Sequence, residues 1–158
     1  MDARLDYNSS EMLQKFGRHF NSAARIASSG SALPPGLANL ILIRVSQING
    51  CAVCLDMHTK DAEHEGETSL RINLVAAWRD AKVFTDAERA ALELAEQGTR
   101  IADGAGGVTD EAWANATKYF TADQLAALVG TIGLINLYNR GNVMLKNEGG
   151  DYQPGQWG

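Results

Sequence analysis

Both cysteines of the chain and one of its three histidines lie within a stretch of eight residues. If this stretch is helical, Cys51, Cys54 and His58 are spaced i, i+3 and i+7 and project from one face of the helix. An imidazole one turn from a thiol can accept its proton, and the thiolate is the reactive form of cysteine. The spacing of the two cysteines also lets a disulfide form and reopen. The pattern therefore predicts a thiol–disulfide active site.

Other chemistries use the same residue types, but the spacing favours them less. Two cysteines and a histidine can simply pack in a core, although their shared face makes this the weaker interpretation. A structural zinc site needs about four ligands, and His64 points elsewhere on the helix while Asp61 is an uncommon partner. Covalent haem attachment requires a histidine directly after the second cysteine, where the chain has Leu55. A thioredoxin-like motif follows a strand, and the sequence predicts a helix at that place.

Composition and charge bound the fold and the partners. With 158 residues, 45% of them hydrophobic and 21% charged, the chain is predicted to form one globular domain. The net charge of −5 argues against nucleic acid and anionic membranes as partners. No apolar run is long enough to span a membrane, and the N-terminus lacks the pattern of a signal peptide. We therefore expect a cytoplasmic protein, in which a close cysteine pair is more often catalytic than structural.

Hydrophobic periodicity indicates a helix ahead of the motif. Met12, Phe16 and Phe20 recur every four residues after a capping-box-like start at Asn8–Glu11. We expect the apolar face of this first helix to be buried, and its end to fray at residues 28–31.

A second helix is expected to lead directly into the cysteine pair. Pro34 and Pro35 are typical of a helix start, and the apolar residues that follow surround the helix on almost every side. It should therefore be central or at a subunit interface. Asn49–Gly50 ends it, so Cys51 is expected to begin the next helix, which runs to about Glu65.

Capping residues mark the later helices. Candidate N-terminal caps occur at Thr68 or Ser69, at Thr109, and in the capping boxes Thr85–Glu88 and Thr121–Gln124. The final helix, about residues 122–146, carries three glycines, which we expect to sit where another helix approaches closely. Polar groups at 78–79 and 136–140 are expected to pair between helices or across a subunit interface.

No alternating β pattern of useful length and no repeat is visible, so the predicted fold class is all-α. We expect one domain over residues 1–158 with about seven helices. Its motif-bearing core should span about residues 33–146, and residues 149–158 should form a loosely held tail unless a neighbouring subunit binds them.

The segment around the cysteines also resembles a known family. Residues 46–59, SQINGCAVCLDMHT, closely resemble the motif of AhpD-like alkylhydroperoxidases, which belong to the carboxymuconolactone decarboxylase superfamily. The resemblance continues through residues 71–73, 78–79 and 84–89 and returns at 135–140. It covers most of the chain from about residue 33 to 144, and the cysteine segment is its most specific part.

This resemblance implies an all-α fold, a homotrimer or homohexamer, and thiol-dependent reduction of hydrogen peroxide or alkyl hydroperoxides. It implies no metal or haem cofactor, and a dithiol or a lipoyl-bearing protein as the reductant. By analogy, Cys54 is the attacking thiol, activated through His58, and Cys51 is the resolving thiol that meets the reductant. Helix-dipole reasoning alone would favour Cys51 as the attacking thiol, because it lies nearer the helix N-terminus.

Two positions depart from the family pattern. Relatives commonly carry a glutamate twelve residues before the first cysteine as part of a proton relay, and this chain has Asn39 there. Those with the fullest relay also place a histidine directly before the second cysteine, where this chain has Val53. Asparagine cannot exchange a proton at neutral pH, and general acid–base help is worth roughly 10²–10⁴-fold in rate. A redox-sensing or disulfide-exchange protein with weak peroxidase activity is therefore the alternative.

Overall fold

The computed structural model describes residues 3–28, 33–104 and 106–156, and within them it contains seven α-helices and no strand. The helices are α1 (Glu11–Ser28), α2 (Leu37–Asn49), α3 (Ala52–His64), α4 (Ser69–Leu74), α5 (Asp86–Thr99), α6 (Asp110–Ala116) and α7 (Ala122–Leu145). Short 3₁₀ turns lie at Tyr7–Ser9 and Val75–Ala77. The all-α prediction and the predicted number of helices are confirmed.

The predicted caps account for most helix starts. The side chains of Thr68, Thr85, Thr109 and Thr121 each accept the backbone N–H three residues on, and both predicted capping boxes are complete. The first helix differs from the prediction, because the hydroxyl of Ser10 accepts the N–H of Leu13 and α1 starts at Glu11. The predicted fraying at 28–31 falls largely on residues 29–32, which are outside the described residues.

Helix α2 is the centre of the molecule. It packs against α3, α5 and α7, and Leu40, Ile41, Ile43 and Val45 are completely buried. The prediction of a central helix is confirmed, because a helix that is apolar on nearly every side can be stable only when other helices surround it. Each such side chain contributes about 1.5–3 kcal/mol when removed from water.

Two separate hydrophobic clusters each include residues of α2. One joins α2 to α5, α6 and α7, and the other joins α2 to α3, α4 and the segment 75–84. An ion pair ties α2 to α5 between them: Arg44 Nη2 lies 2.7 Å from Glu96 Oε2, which also accepts the indole N–H of Trp78 at 3.0 Å. Burial by itself raises the pKa of Glu96, but these hydrogen bonds outweigh it and lower the pKa. The predicted pairing of Trp78 between helices is thus confirmed.

Helix α1 is less covered than its sequence indicated. It packs on α7, where Phe20 meets the ring of Tyr138 edge to face with centroids 6.3 Å apart. Met12 and Phe16 nevertheless remain 60% and 50% exposed, so the expectation of a buried face is wrong for the single chain. The apolar pattern is present, but α7 covers only part of it.

Two of the three glycines of α7 are also open in the single chain. A Cβ added at Gly133 or Gly141 would meet no atom within 4 Å, and one at Gly130 would lie 3.8 Å from the Cβ of Ala27. Close helix approach, the expected reason for these glycines, therefore occurs within the described residues at Gly130, where α1 passes, and is absent there at Gly133 and Gly141.

The C-terminal segment lies along α3 and is bonded to it, whereas the sequence had predicted a loosely held tail. Within residues 147–156, backbone groups hydrogen-bond to side chains of α3. We call residues 147–156 the strap.

Candidate functional site

Helix α3 begins at the first cysteine because the chain turns sharply before it. Gly50 ends α2 in the left-handed region, with φ 68°, and its N–H bonds to the carbonyl of Ser46. Cys51 then takes extended angles as the N-cap of α3, and its sulfur accepts the N–H of Cys54 at 3.4 Å. The predicted break at Asn49–Gly50 is confirmed, and it places both sulfurs at the N-terminal end of a helix.

Cys51 and Cys54 are joined by a disulfide, with their Cα atoms 5.3 Å apart. Their residues are only 1% and 2% exposed. The pair is therefore close enough for disulfide chemistry, and it is enclosed by the protein on most sides.

Helix α7 supplies a polar contact to this pair that the motif did not predict. The side-chain Nδ2 of Asn142 donates to the sulfur of Cys54 at 3.4 Å. Its Oδ1 accepts a hydrogen bond from Nδ2 of Asn147 at 2.7 Å, at the start of the strap. A signal existed in the sequence, because Asn136, Asn139 and Asn142 recur every third residue on an otherwise apolar helix.

His58 lies one helical turn after Cys54, as predicted, and its imidazole is enclosed. Its Nε2 has no contact with solvent and no hydrogen-bond partner within the described residues. Burial lowers the pKa of His58 to about 4, because the charged form would lose its hydration. The imidazole is therefore neutral at pH 7, which is the form that can accept a proton.

A buried amide network lies behind the pair, between α2 and α7. Asn49 Nδ2 donates to Oδ1 of both Asn136 and Asn139 at 3.0 Å, and Asn139 Nδ2 donates to the hydroxyl of Ser46 at 3.1 Å. Arg140 also donates to Oδ1 of Asn136 at 2.8 Å. The expected pairing of these polar groups is confirmed, and it holds the end of α2 in register with α7.

An open cavity of about 480 Å³ lies against the start of α3. Cys51 lines it, and Cys54 is not among its lining residues. Asn142, Val143 and Lys146 form the α7 side, and residues 147–149 form the wall contributed by the strap. The cavity therefore reaches the disulfide from the Cys51 side.

The strap is fixed to α3 by Asp56 and Lys60. Asp56 Oδ2 accepts the N–H groups of Gly150 at 2.6 Å and Tyr152 at 3.0 Å, and Lys60 donates to the carbonyls of the same two residues. The hydrogen bond from Lys60, with those from the strap, lowers the pKa of Asp56. The backbone of the strap contacts the backbone of α3 at Gly149, since a Cβ added there would lie 2.6 Å from the carbonyl oxygen of Ala52.

The other residues singled out in the sequence lie away from the sulfurs or have other partners. Buried Asn39 donates its amide to Oε2 of Glu65 at 2.7 Å, and Val53 is half-buried on α3. Asp61, considered above as an uncommon zinc partner, accepts the hydroxyl of Tyr152 at 2.9 Å.

Two features of residues 3–28, 33–104 and 106–156 bear on other functions. No three side chains of the types His, Cys, Asp and Glu are grouped there so that they could hold a metal ion. None of the helices formed by these residues combines the length and apolar character needed to cross a membrane.

Comparison with known sequences identifies a matching family and relatives of this chain. The sequence profile of the carboxymuconolactone decarboxylase family matches residues 12–97, more than half of the chain. Protein YdfG of Bacillus subtilis is 43% identical over 108 residues, which cover 68% of this chain and 72% of that protein. Protein YnjA of Escherichia coli is 32% identical over 112 residues, covering 71% of this chain and 60% of that protein. Both relatives are uncharacterised.

Solved structures share the fold. A protein of unknown function from Agrobacterium tumefaciens, a candidate AhpD antioxidant defence protein, superposes with a TM-score of 0.85 at 30% identity, covering 96% of this chain and all of that one. A peroxidase-related protein from Ralstonia eutropha with an AhpD core gives 0.73 at 18% identity, covering 87% and 72%. The debrominase Bmp8, in complex with 2,3,4-tribromopyrrole, gives 0.77 at 16% identity, also covering 87% and 72%. The last two show the fold alone.

Proposed function

The chain belongs to the AhpD-like part of the carboxymuconolactone decarboxylase superfamily, and from this we propose that it is a thiol-dependent peroxidase. One observation supports this most: an enclosed Cys51–Cys54 disulfide at the N-terminus of a helix, with an amide donor on Cys54 and a cavity at Cys51. A hydroperoxide is the proposed substrate, and the cysteine pair is the proposed redox centre.

The proposed cycle uses both sulfurs. In the reduced protein, His58 accepts the Cys54 proton, and the thiolate attacks a peroxide oxygen so that the O–O bond breaks. Cys54 becomes a sulfenic acid, and the leaving oxygen takes a proton to form an alcohol or water. The thiol of Cys51 then condenses with the sulfenic acid, which releases water and forms the disulfide. An external dithiol restores both thiols and is itself oxidised to a disulfide.

The burial of His58 affects only part of this cycle. In the disulfide form, burial holds the pKa of the imidazole at about 4. A thiolate at Cys54 would be an opposite charge one turn away and would favour the protonated imidazole. Proton transfer from Cys54 to His58 therefore depends on the thiolate and imidazolium forming together.

A dithiol or a lipoyl-bearing protein is the proposed reductant, and a cytoplasmic location follows from it. Such a reductant would enter through the cavity at Cys51. Low-molecular-weight and protein dithiols are kept reduced in the cytoplasm, where a pair of this kind can be reset.

Replacing either cysteine tests the function. We expect wild-type protein to oxidise a dithiol such as dihydrolipoamide in the presence of hydrogen peroxide or an alkyl hydroperoxide. Because the chain has only two cysteines, Cys54→Ser removes the proposed attacking thiol and should abolish this turnover. Cys51→Ser should permit one oxidation of Cys54 per chain without disulfide formation. Intact turnover by Cys54→Ser would contradict the proposed role of Cys54.

A second candidate is disulfide exchange or redox sensing with weak peroxidase activity. The contact of Asn39 with Glu65 favours it, because an amide stands where relatives carry a relay carboxylate. The variant Asn39→Glu should raise the peroxidase rate by a large factor, on the order of 10²-fold, if a missing relay limits the native chain. Rapid peroxide consumption by the native protein with a dithiol would exclude the sensor-only alternative.

A further inference from the structure

We propose that Asn142 is a catalytic hydrogen-bond donor that stabilises Cys54 as a thiolate, and that Asn147 holds its amide in the donating orientation. The proposal rests on the proposed thiol–disulfide chemistry and adds to it a residue far outside the cysteine motif. Asn142 lies 88 positions after Cys54 in the chain.

The orientation of the Asn142 amide is specified at both ends. Its Nδ2 donates to Cys54 Sγ at 3.4 Å, and its Oδ1 accepts from Asn147 Nδ2 at 2.7 Å. The backbone N–H of Asn147 also bonds to the carbonyl of Asn142 at 3.0 Å. With Asn147 oriented as it is in the structure, a reversed Asn142 amide would place its oxygen at the sulfur and its NH₂ at the NH₂ of Asn147, so the donating orientation is favoured.

The sulfur of Cys54 needs such a donor more than that of Cys51. The N–H of Cys54 is already directed at Cys51 Sγ, and Asn142 is the side chain that donates to Cys54 Sγ within the described residues. His58 is neutral at pH 7 and has no charge to offer until it takes up a proton. A hydrogen bond becomes stronger when its acceptor is ionised, so Asn142 stabilises the thiolate more than the disulfide.

The position of the cavity determines which of the two sulfurs becomes the leaving thiolate during reduction. It reaches Cys51 but is not lined by Cys54, so the thiolate of an incoming dithiol meets Cys51 Sγ. A new S–S bond then forms between the reductant and Cys51, the Cys51–Cys54 bond breaks, and its electron pair leaves on Cys54 Sγ. Asn142 donates to the sulfur on which this negative charge develops, and a better-stabilised leaving thiolate departs faster.

The charged groups around the pair are few. Helix α3 contributes His58, with Asp56 and Lys60 paired to each other and to the strap. Lys146 and Glu148 line the cavity beyond α7. From α2, Arg44 is paired with Glu96, and Ser46, whose carbonyl accepts the N–H of Cys51, is uncharged. From α7, Arg140 is bonded to Asn136 in the amide network. A neutral donor is therefore the direct contact to Cys54.

The thiol pKa of Cys54 tests the proposal directly. In a Cys51→Ser background the chain has a single thiol, and the ultraviolet absorbance of its thiolate against pH gives that pKa without a reagent having to reach the enclosed sulfur. Asn142→Leu should raise the pKa by about one unit, the size expected for a lost hydrogen bond to a charged group. Asn142→Asp has the same shape and replaces the donor by a carboxylate, so it should raise the pKa further. Asn147→Ala should give a smaller rise.

A matched variant controls for the change of residue type. Asn115→Leu makes the same substitution on α6, where Asn115 contacts Lys118, and should leave the Cys54 pKa at its original value. An unchanged pKa in both Asn142→Leu and Asn142→Asp would overturn the proposal. If Asn142→Leu does not fold, the isosteric Asn142→Asp decides alone.

The reduction potential gives an independent measurement with both cysteines present. Losing the donor destabilises the reduced form, so Asn142→Leu should make the potential of the Cys51–Cys54 pair more negative. Neither measurement uses a peroxide. A protein without peroxidase activity in which Asn142 still shifts both values would contradict the proposed function and support the role of Asn142.

Discussion

At the scale of residues, the site combines an enclosed disulfide with groups that are neutral in the oxidised state. The Nε2 of His58 is out of contact with solvent and lacks a partner among the described residues, while Asn142 contacts Cys54 with an uncharged amide. The interaction of each group with the cysteine pair becomes more favourable when a thiolate forms, because the group then faces a negative charge. The site is therefore arranged for the reduced, ionised state more than for the disulfide.

The enclosed imidazole predicts a pH-dependent loss of stability. A histidine whose folded pKa is about 4 takes up its proton in the unfolded chain first, at about pH 6.5. Stability contributed by neutral His58 is thus present above pH 6.5 and is lost as the pH falls from there to about 4. The oxidised protein should lose up to about 3 kcal/mol in this range relative to His58→Leu, as measured by urea unfolding.

The control for this prediction is the histidine on α1. His19 is exposed, and His19→Leu should follow the pH dependence of the wild type. Parallel curves for wild type and His58→Leu between pH 6.5 and 4 would show that the imidazole is not enclosed as the structure indicates.

At the scale of elements, α3 carries the cysteines at one end and holds the strap along its side. The start of α3 is fixed by the left-handed turn at Gly50, and its flank is fixed by Asp56 and Lys60, which bond to Gly150 and Tyr152. Because Asn147 begins the strap, the same docking that covers α3 also places the residue that orients Asn142. The strap is thus a structural part of the site.

Removing the acceptor for the strap should release it. We predict that Asp56→Ala exposes the amides of Gly150 and Tyr152, which lose their shared acceptor, so that hydrogen exchange at both becomes faster by about 10-fold or more. The global unfolding midpoint should change less, because neither hydrophobic cluster of the helical core includes a strap residue. Asp151→Ala makes the same change at an exposed strap residue and should retain the slow exchange. Unchanged protection in Asp56→Ala would mean that the strap is held by other contacts.

At the scale of the whole molecule, one chain leaves apolar surface open on α1 and α7. Val129, Leu137 and Met144 lie on one face of α7 at helical spacing and are 52%, 39% and 64% exposed. Gly133 lies on the same face with open space around it, and Met12 on α1 is 60% exposed. A face that combines exposed apolar side chains with glycine is typical of a surface on which another helix packs.

We predict that further copies of the chain cover this face. Light scattering after size exclusion should give a multimer, of which a trimer or hexamer is the form implied by the family resemblance. Leu137→Glu places a charge in the centre of the face and should reduce the mass to that of a monomer. Leu70→Glu, the same change at an exposed leucine of α4, should leave the multimer intact. A wild-type monomer at micromolar concentration would contradict the prediction.

Much of the fold could be predicted because helix boundaries depend on local contacts. Thr85 and Thr121 bond to N–H groups three residues on, and the break at Gly50 needs only one residue with positive φ. Burial was less predictable, since Met12 and Phe16 have a core-like pattern but too few neighbours within one chain. Periodicity shows which face is apolar, whereas the neighbouring elements decide whether that face is covered.

The candidate site divides in the same way. Cys51, Cys54 and His58 lie on consecutive turns, so sequence spacing alone brought them together on one helix and indicated thiol–disulfide chemistry. The contact of Asn142 with Cys54 and the docking of the strap on Asp56 join residues 88 and 94 positions apart. No local pattern specifies such contacts, because they exist only once α2, α3 and α7 have packed together. The sequence by itself determined which atoms can react, and the tertiary structure decided which groups stabilise their charge and from which side they can be reached.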